Sequence, residues 1–338
     1  MPIRRDVFLT VVIVLATYIS IFTQIKFKEP SDYSQKETQF SFIESSSVRK
    51  TIVLNGSWSV YNYEDDKKGK TRVRVPSVFE GEGDLVYEKA FEIPEQYLGN
   101  HNFELNFLGI NYTADISINN SLIFKHTGGE YPFSLPLPKD LLKKKKNIIS
   151  VRVSSKLDPE GTIPVKQRFL FPRSYGGIFR DVYIRVIPSV NLNNVSYNYE
   201  VTGSSGVRLK VITRISNNQF VQKNDSLGST GSMYELKTSI VNDTTGGEIV
   251  AGSQMLQIGT GKERSVNQVL QMGNVRLWTP ERPMVYRLRM QLLRGGGVVD
   301  EVVKTVSFYS LKSEKEGLVL NGSGFKIQGV TYIPGSGN

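Results

Sequence analysis

NIISVRVSS at 147–155 and DVYIRVIP at 181–188 decide the fold class. In each, β-branched apolar residues alternate with polar ones, the period-two pattern of a strand with one buried face. FELNFLG (103–109) and ADISINN (114–120) repeat the pattern. Turn residues separate the runs: Gly56-Ser57, Gly81 to Asp84, Asn119-Asn120, Gly128-Gly129 and Gly176-Gly177. Helical periodicity is nearly absent, with one short stretch near 138–142. The chain therefore reads as all-β, with a jelly-roll sandwich over 49–188. A second strand-rich region covers 189–311 and includes VRLKVITRIS (207–216), MYELKTSIVN (233–242), SVNQVLQM (265–272), MVYRLRMQLL (284–293) and EVVKTVSFYSL (301–311). About seven strands in roughly 120 residues predict an immunoglobulin-like sandwich. The polar stretch 217–232 between them reads as a long loop.

The two ends differ from this middle. Behind Arg4 and Arg5 runs VFLTVVIVLATYISIFTQI (7–25), without a single charge. About 19 residues at 1.5 Å each give roughly 28 Å of helix, close to the hydrocarbon thickness of a bilayer. After Ala16 no pair of small residues marks a cleavage site, so an uncleaved transmembrane helix is expected over a cleaved signal peptide. The segment 1–28 is then a membrane anchor or signal segment and 29–48, polar and serine-rich, a tether. The bulk of the chain is expected on the extracytoplasmic side: periplasmic, extracellular or lumenal. At the other end, within 312–338, GLVLNGSGFKIQGVTYIPGSGN reads as a hairpin followed by one apolar strand.

Composition removes several chemistries. The 338 residues contain no cysteine, which excludes disulfides, thiolate catalysis and cysteine-ligated zinc. Two histidines, His101 and His126, cannot make a multi-histidine metal site, and no cofactor is implied. The charge of +10 is spread over both sandwiches. Its densest run, 143–146, lacks the interleaved aromatics of a nucleic-acid surface, so no nucleic acid is expected. That run reads as a solvated loop, with an anionic membrane surface as the alternative. Seven glycosylation sequons start at Asn55, Asn111, Asn119, Asn194, Asn224, Asn242 and Asn321. Asn119-Asn120 equally suits the positive φ of a tight hairpin.

No catalytic constellation stands out. Glycosidase chemistry needs two carboxyl groups about 5–5.5 Å apart for retention or about 6.5–9.5 Å for inversion. Glu80, Glu82 and Asp84 alternate in an acidic loop, but nothing buries one of them to raise its pKa, and the loop reads as solvated. Arg180 and Asp181 are adjacent and would point to opposite faces of a strand. GEYPF (129–133) reads as a packed corner or a ligand edge. Nucleophile elbows and phosphate-cradling loops are missing.

The order LNGSWSV (54–60), VRVPSVF (73–79), YEKAFEIP (87–94), LGINYTADISINNSLIFKHTGGEYPF (108–133), NIISVRV (147–153) and SYGGIFRDVYI (174–184) resembles family 2 glycoside hydrolases. That group holds β-galactosidases, β-glucuronidases and β-mannosidases. VRLWTPERPMVYRLRMQLL (275–293) with VVDEVVKTVSFYSL (298–311) resembles their immunoglobulin-like domain. GLVLNGSGFKIQGVTYIP (317–334) resembles the hairpin and first strand of their catalytic (β/α)8 barrel. The resemblance implies a jelly-roll sugar-binding domain, a spacer sandwich and a truncated barrel. Both catalytic glutamates would lie beyond Asn338, so the 338 residues alone are expected to be inactive, with no catalytic residue among them. It further implies that Asp84, Arg173 and Tyr332 line the sugar site. Two departures bear on substrate: Phe171 stands where many relatives carry an acid, and Thr331, Tyr332 and Ile333 replace the usual Asn and His. The expected partners are a β-linked carbohydrate and, through 7–25, the membrane; the oligomeric state stays open, a homo-oligomer being compatible. A membrane-anchored carbohydrate-binding or surface structural protein without catalysis is the competing reading.

Overall fold

The computed structural model describes residues 27–28, 46–65, 69–128, 131–156, 175–219 and 231–330. The run 7–25 and most of the proposed tether lie outside them. Among the described residues no helix is long and apolar enough to cross a membrane.

The first sandwich faces a six-stranded sheet against a four-stranded one. Alternation dictates the packing. In Asn147–Ser154, Ile149, Val151 and Val153 are buried, while Ile148, Ser150 and Arg152 face out. Val182–Pro188 sends Val182, Ile184 and Val186 into the same core from the opposite sheet. Trp58, Tyr87, Phe79 and Phe107 fill the space between, and Trp58 donates its indole N–H to the Leu54 carbonyl. A third, small sheet of Phe27–Lys28, Val78–Glu80, Tyr175–Ile178 and Ile110–Asn111 closes one end. Phe27 and Lys28 thus belong to the sandwich, although the sequence places them at the close of the anchor segment.

The second sandwich has seven strands, three facing four. Five match runs legible in the sequence. The others, Val190–Thr202 and Glu248–Ile258, are edge strands with many outward positions, so their apolar alternation is diluted. Its core is separate and draws on residues from Val190 to Phe308.

Leu311–Glu314, Gly317–Leu320 and Ser323–Phe325 then form a three-stranded sheet. Asn321 and Gly322 turn the hairpin at φ +51° and +85°, as a tight two-residue connection requires. Asn321 also locks it down: its Nδ2 donates to the Trp278 carbonyl and its Oδ1 accepts from the Ser310 N–H. The apolar strand expected next does not form over 326–330, where Val330 is almost fully exposed. Residues 331–338 lie outside the described residues.

Several sequon asparagines are structural. The Nδ2 groups of Asn55, Asn111, Asn119 and Asn321 donate to Asp181, Tyr175, Leu141 and Trp278 respectively. Asn119 and Asn120 have φ of +50° and +71°, the hairpin role foreseen for them.

A buried ion pair joins the two sandwiches. Arg49 grips Asp300 through both oxygens, Nε at 3.0 Å and Nη2 at 2.8 Å, and Nη2 also reaches the Leu192 carbonyl at 2.7 Å. Asp300 has no exposed side-chain surface and accepts a further bond from the Leu192 N–H. Ser47 adds a backbone donor to Glu301. A groove of about 210 Å³ follows this joint, lined by Arg49, Glu104, Arg185, Asn193, Val302 and Lys304. Removing one partner of a buried pair strands the other charge, at about 3–5 kcal/mol. Arg49→Ala is therefore expected to split a cooperative calorimetric unfolding into two transitions. A single transition at the wild-type temperature would show that the pair does not couple the domains.

Candidate functional site

The candidate site is the end of the first sandwich where Asp84–Phe91 begins and Asn147–Ser154 ends, Asp84 lying opposite Ser154. The loop 80–84 is stapled there by Ser155. Its hydroxyl accepts from the Gly83 N–H at 2.9 Å and donates to the Gly81 carbonyl at 3.0 Å, and its own N–H donates to Gly83 at 3.0 Å. Tyr112 joins the same end, donating to the Ser154 carbonyl and accepting from the Gly128 N–H. Asn111 holds the Tyr175 carbonyl through Nδ2 at 2.7 Å.

Three glycines let these loops close. Phe79 is fully buried, and a Cβ on Gly176 would stand 2.3 Å from its ring, one on Gly83 2.8 Å. Gly177 has φ +125°, a conformation closed to most side chains, and its missing Cβ leaves room for the Ser77 carbonyl. The SYGG segment is thus shaped by approach to an aromatic ring.

Asp84 does not sit in a solvated loop. Its carboxylate takes a two-pronged contact from Arg152, Nε to Oδ1 at 2.8 Å and Nη2 to Oδ2 at 2.6 Å. The guanidinium lies 3.5 Å from the centre of the Tyr63 ring, and Arg152 stands opposite Asp115 on the neighbouring strand. The hydrogen bond to Asp84, outweighing burial, raises the Arg152 pKa further. Glu80 is paired with Lys28 at 2.6 Å, and Glu64 with Lys156 at 3.4 Å. Glu82 is exposed. The described carboxylates at this end are thus mostly balanced by cations, an arrangement suited to holding loop shape and not to paired acid–base work. Among the described residues no group of three or more His, Asp or Glu could hold a metal. Arg173, Tyr332 and Phe171 lie outside the described residues, so of the proposed sugar contacts only Asp84 is placed. Arg152, Tyr63 and Ser155 went unnoticed in the sequence, because only strand register brings them to Asp84.

Arg180 and Asp181 meet different neighbours. The Arg180 guanidinium lies 5.7 Å from the Phe179 ring centre, while Asp181 accepts from Asn55. Burial pushes the Asp181 carboxyl up, against the pull of Asn55 and Arg180. In the 129–133 segment Phe133 is a packed corner. Its ring stacks on Phe107 at 5.3 Å and on His126 at 3.8 Å, while Tyr131 stays exposed. The four lysines of 143–146 are exposed, with Lys144 paired to Glu95 at 3.2 Å.

Two outcomes follow from this packing. Gly176→Ala forces a methyl into the Phe79 ring and is expected to cost about 1–3 kcal/mol in denaturant unfolding; an unchanged midpoint would refute the close approach. Burial pulls the His126 pKa below its ordinary 6.5, partly offset by the Gly128 backbone. A histidine depressed in the folded state adds stability above pH 6.5 that is lost as pH falls through the folded value. His126→Phe keeps a ring on Phe133 without the titration. Its melting temperature should therefore fall less than wild type between neutral pH and mild acid, and parallel curves would contradict this.

Residues 24–188 match the family model described as the sugar binding domain of glycosyl hydrolases family 2, and residues 180–308 match a second model of the same family. A β-glucuronidase from Bacteroides fragilis is 28% identical over 302 residues, covering 83% of this chain and 41% of its own length. A β-galactosidase from Thermoanaerobacter pseudethanolicus is 22% identical over 246 residues, covering 72% of this chain and 31% of its own. The first curated relatives are thus spanned over only 25% to 41% of their length. In fold, the solved β-glucuronidase from Bacteroides uniformis superposes with a TM-score of 0.72 at 20% identity, covering 83% of this chain and 35% of that one.

Proposed function

The chain belongs to family 2 of the glycosyl hydrolases, and on that premise we propose that it is the N-terminal, non-catalytic part of a membrane-tethered glycosidase acting on β-linked sugars. The observation that carries the proposal is the succession of two family domains, in order and without a gap, across 24–308. Their relatives include β-glucuronidases and β-galactosidases much longer than this chain. Charge-balanced carboxylates at the loop end fit a domain that shapes a pocket wall and leaves the chemistry to another part of the polypeptide. Asp84, Arg173 and Tyr332 are assigned to that wall, Asp84 with its charge already met by Arg152. The second sandwich is the spacer. By family kinship the whole protein would retain anomeric configuration through a covalent glycosyl intermediate. Membrane tethering is the reading of the uncharged run 7–25; Arg4 and Arg5 on one side of it face Lys26 and Lys28 on the other, so the extracytoplasmic side for the sandwiches is proposed from targeting logic and not from charge.

An antibody against 49–188, applied to source membranes, tests this. A species heavier than 38.0 kDa by about 30 kDa or more, as a ~250-residue barrel requires, is the expected result. That species should turn over aryl β-glycosides, and the isolated 338 residues should not. A native band at 38.0 kDa that binds sugar saturably without turnover would replace the hydrolase reading with a binding protein.

A further inference from the structure

The groove at the joint runs on along the open side of the second sandwich. Its lining includes Val195 from the edge strand Val190–Thr202, and Val302 and Lys304 from the facing strand Gly297–Val306. Val195, Tyr197 and Tyr199 stand opposite Thr213, Val211 and Leu209, all buried in the core, so the three share one face. Alternation spaces them about 7 Å apart at each step. An edge strand has no neighbour to close that face over, and Tyr197 remains 37% exposed. Across from it the chain leads from Lys304 to Phe308, whose ring meets Tyr199 edge-on at 5.1 Å. The Tyr199 hydroxyl accepts from the Tyr309 N–H at 3.3 Å, and Tyr309 lies 5.9 Å from the Trp278 ring while staying 41% exposed. Tyr197, Tyr199, Tyr309 and Trp278 thus extend the groove as an aromatic surface, all within the described residues.

We propose that this groove binds an acidic glycan chain, its sugar rings against Tyr197 and Tyr309 and a carboxylate at the Lys304 end. Tyrosine and tryptophan offer a broad apolar ring with a polar rim, which suits the C–H face and hydroxyl edge of a pyranose. Binding sites combine such rings with a few convergent polar groups, and here those groups gather at the joint. Arg49, Arg185 and Lys304 bring three cations to it. Two carboxylates answer them, Glu104 in register with Arg185 and Asp300 gripped by Arg49, so three against two leaves one positive charge. Asn193 and Asn194 add exposed amides on the same rim. The groove lies at the far end of the first sandwich from its loop end, since its residues Arg185 and Ile187 follow Val182, which pairs with Phe107 at the loop end. It is therefore separate from the proposed pocket wall. It gives the second sandwich a role beyond that of a spacer, and it depends neither on a barrel nor on the anchor.

Titration calorimetry on the full 338-residue chain tests this with two matched probes, a β-1,4-linked oligoglucuronate and the neutral cello-oligosaccharide of the same length. The oligoglucuronate is expected to bind saturably and several-fold more tightly than the neutral chain, with the difference shrinking as salt is raised. Tyr197→Ala and Tyr309→Ala should each weaken binding of both probes several-fold, while Tyr197→Phe keeps the ring and should bind as the unmutated chain does. Lys304→Gln should bring the acidic probe down to the neutral one. Circular dichroism and thermal melting identify any variant that has lost its fold, and the exposed tyrosines are the positions where that is least expected. Absence of binding by either probe overturns the proposal, and so does equal affinity for the two. Binding that survives both Tyr197→Ala and Lys304→Gln overturns it as well, by placing the glycan elsewhere on the chain. None of these results touches the hydrolase reading, which stands or falls on the mass of the native species.

Discussion

The ring of Phe79 occupies the place where three segments of the first sandwich have to meet. Gly83 and Gly176 approach it so closely that neither can carry a methyl group, and Phe27 closes it edge-on. Interiors pack at crystal-like density, so one buried aromatic sets how near its neighbours come. The 80–84 loop, the SYGG backbone and the N-terminal strand take their positions from that contact. Loop end, family motif and N-terminal strand are in this sense one packing problem.

Polar groups then finish what packing begins. Ser155 satisfies the backbone of the 80–84 loop, and Arg152 satisfies Asp84 while lying against Tyr63. A buried carboxylate left alone would be costly, and a two-pronged arginine is the geometry that removes the cost. The same logic recurs at the joint between the sandwiches, where Asp300 is wholly buried and answered by Arg49 and by the Leu192 N–H. Arg49 precedes the first sandwich and Asp300 lies deep in the second, so the pair ties the start of one domain to the middle of the other.

How legible this was depended on range. Runs such as NIISVRVSS announced themselves because a half-buried strand repeats every two residues. Asn119-Asn120 was recognisable as a turn because positive φ is a local demand. Val190–Thr202 and Glu248–Ile258 were missed because edge strands bury little and alternate weakly. Asp84 was picked out as part of an acidic loop, yet read as solvated, since its partner Arg152 is 68 residues away. The family order was readable from short motifs, and the two consecutive family matches agree with it.

By itself, the sequence determined the all-β class, the absence of thiol chemistry and the uncharged run 7–25, because each is a matter of composition or of spacing along the chain, and its short motifs carried the family resemblance. Tertiary structure alone decided which charges are spent, which glycines are obligatory and where the N-terminal strand attaches. Those answers depend on register between strands far apart in sequence. Phe27 opposite Phe79, Asp84 beside Arg152 and Arg49 on Asp300 are contacts that no local pattern encodes.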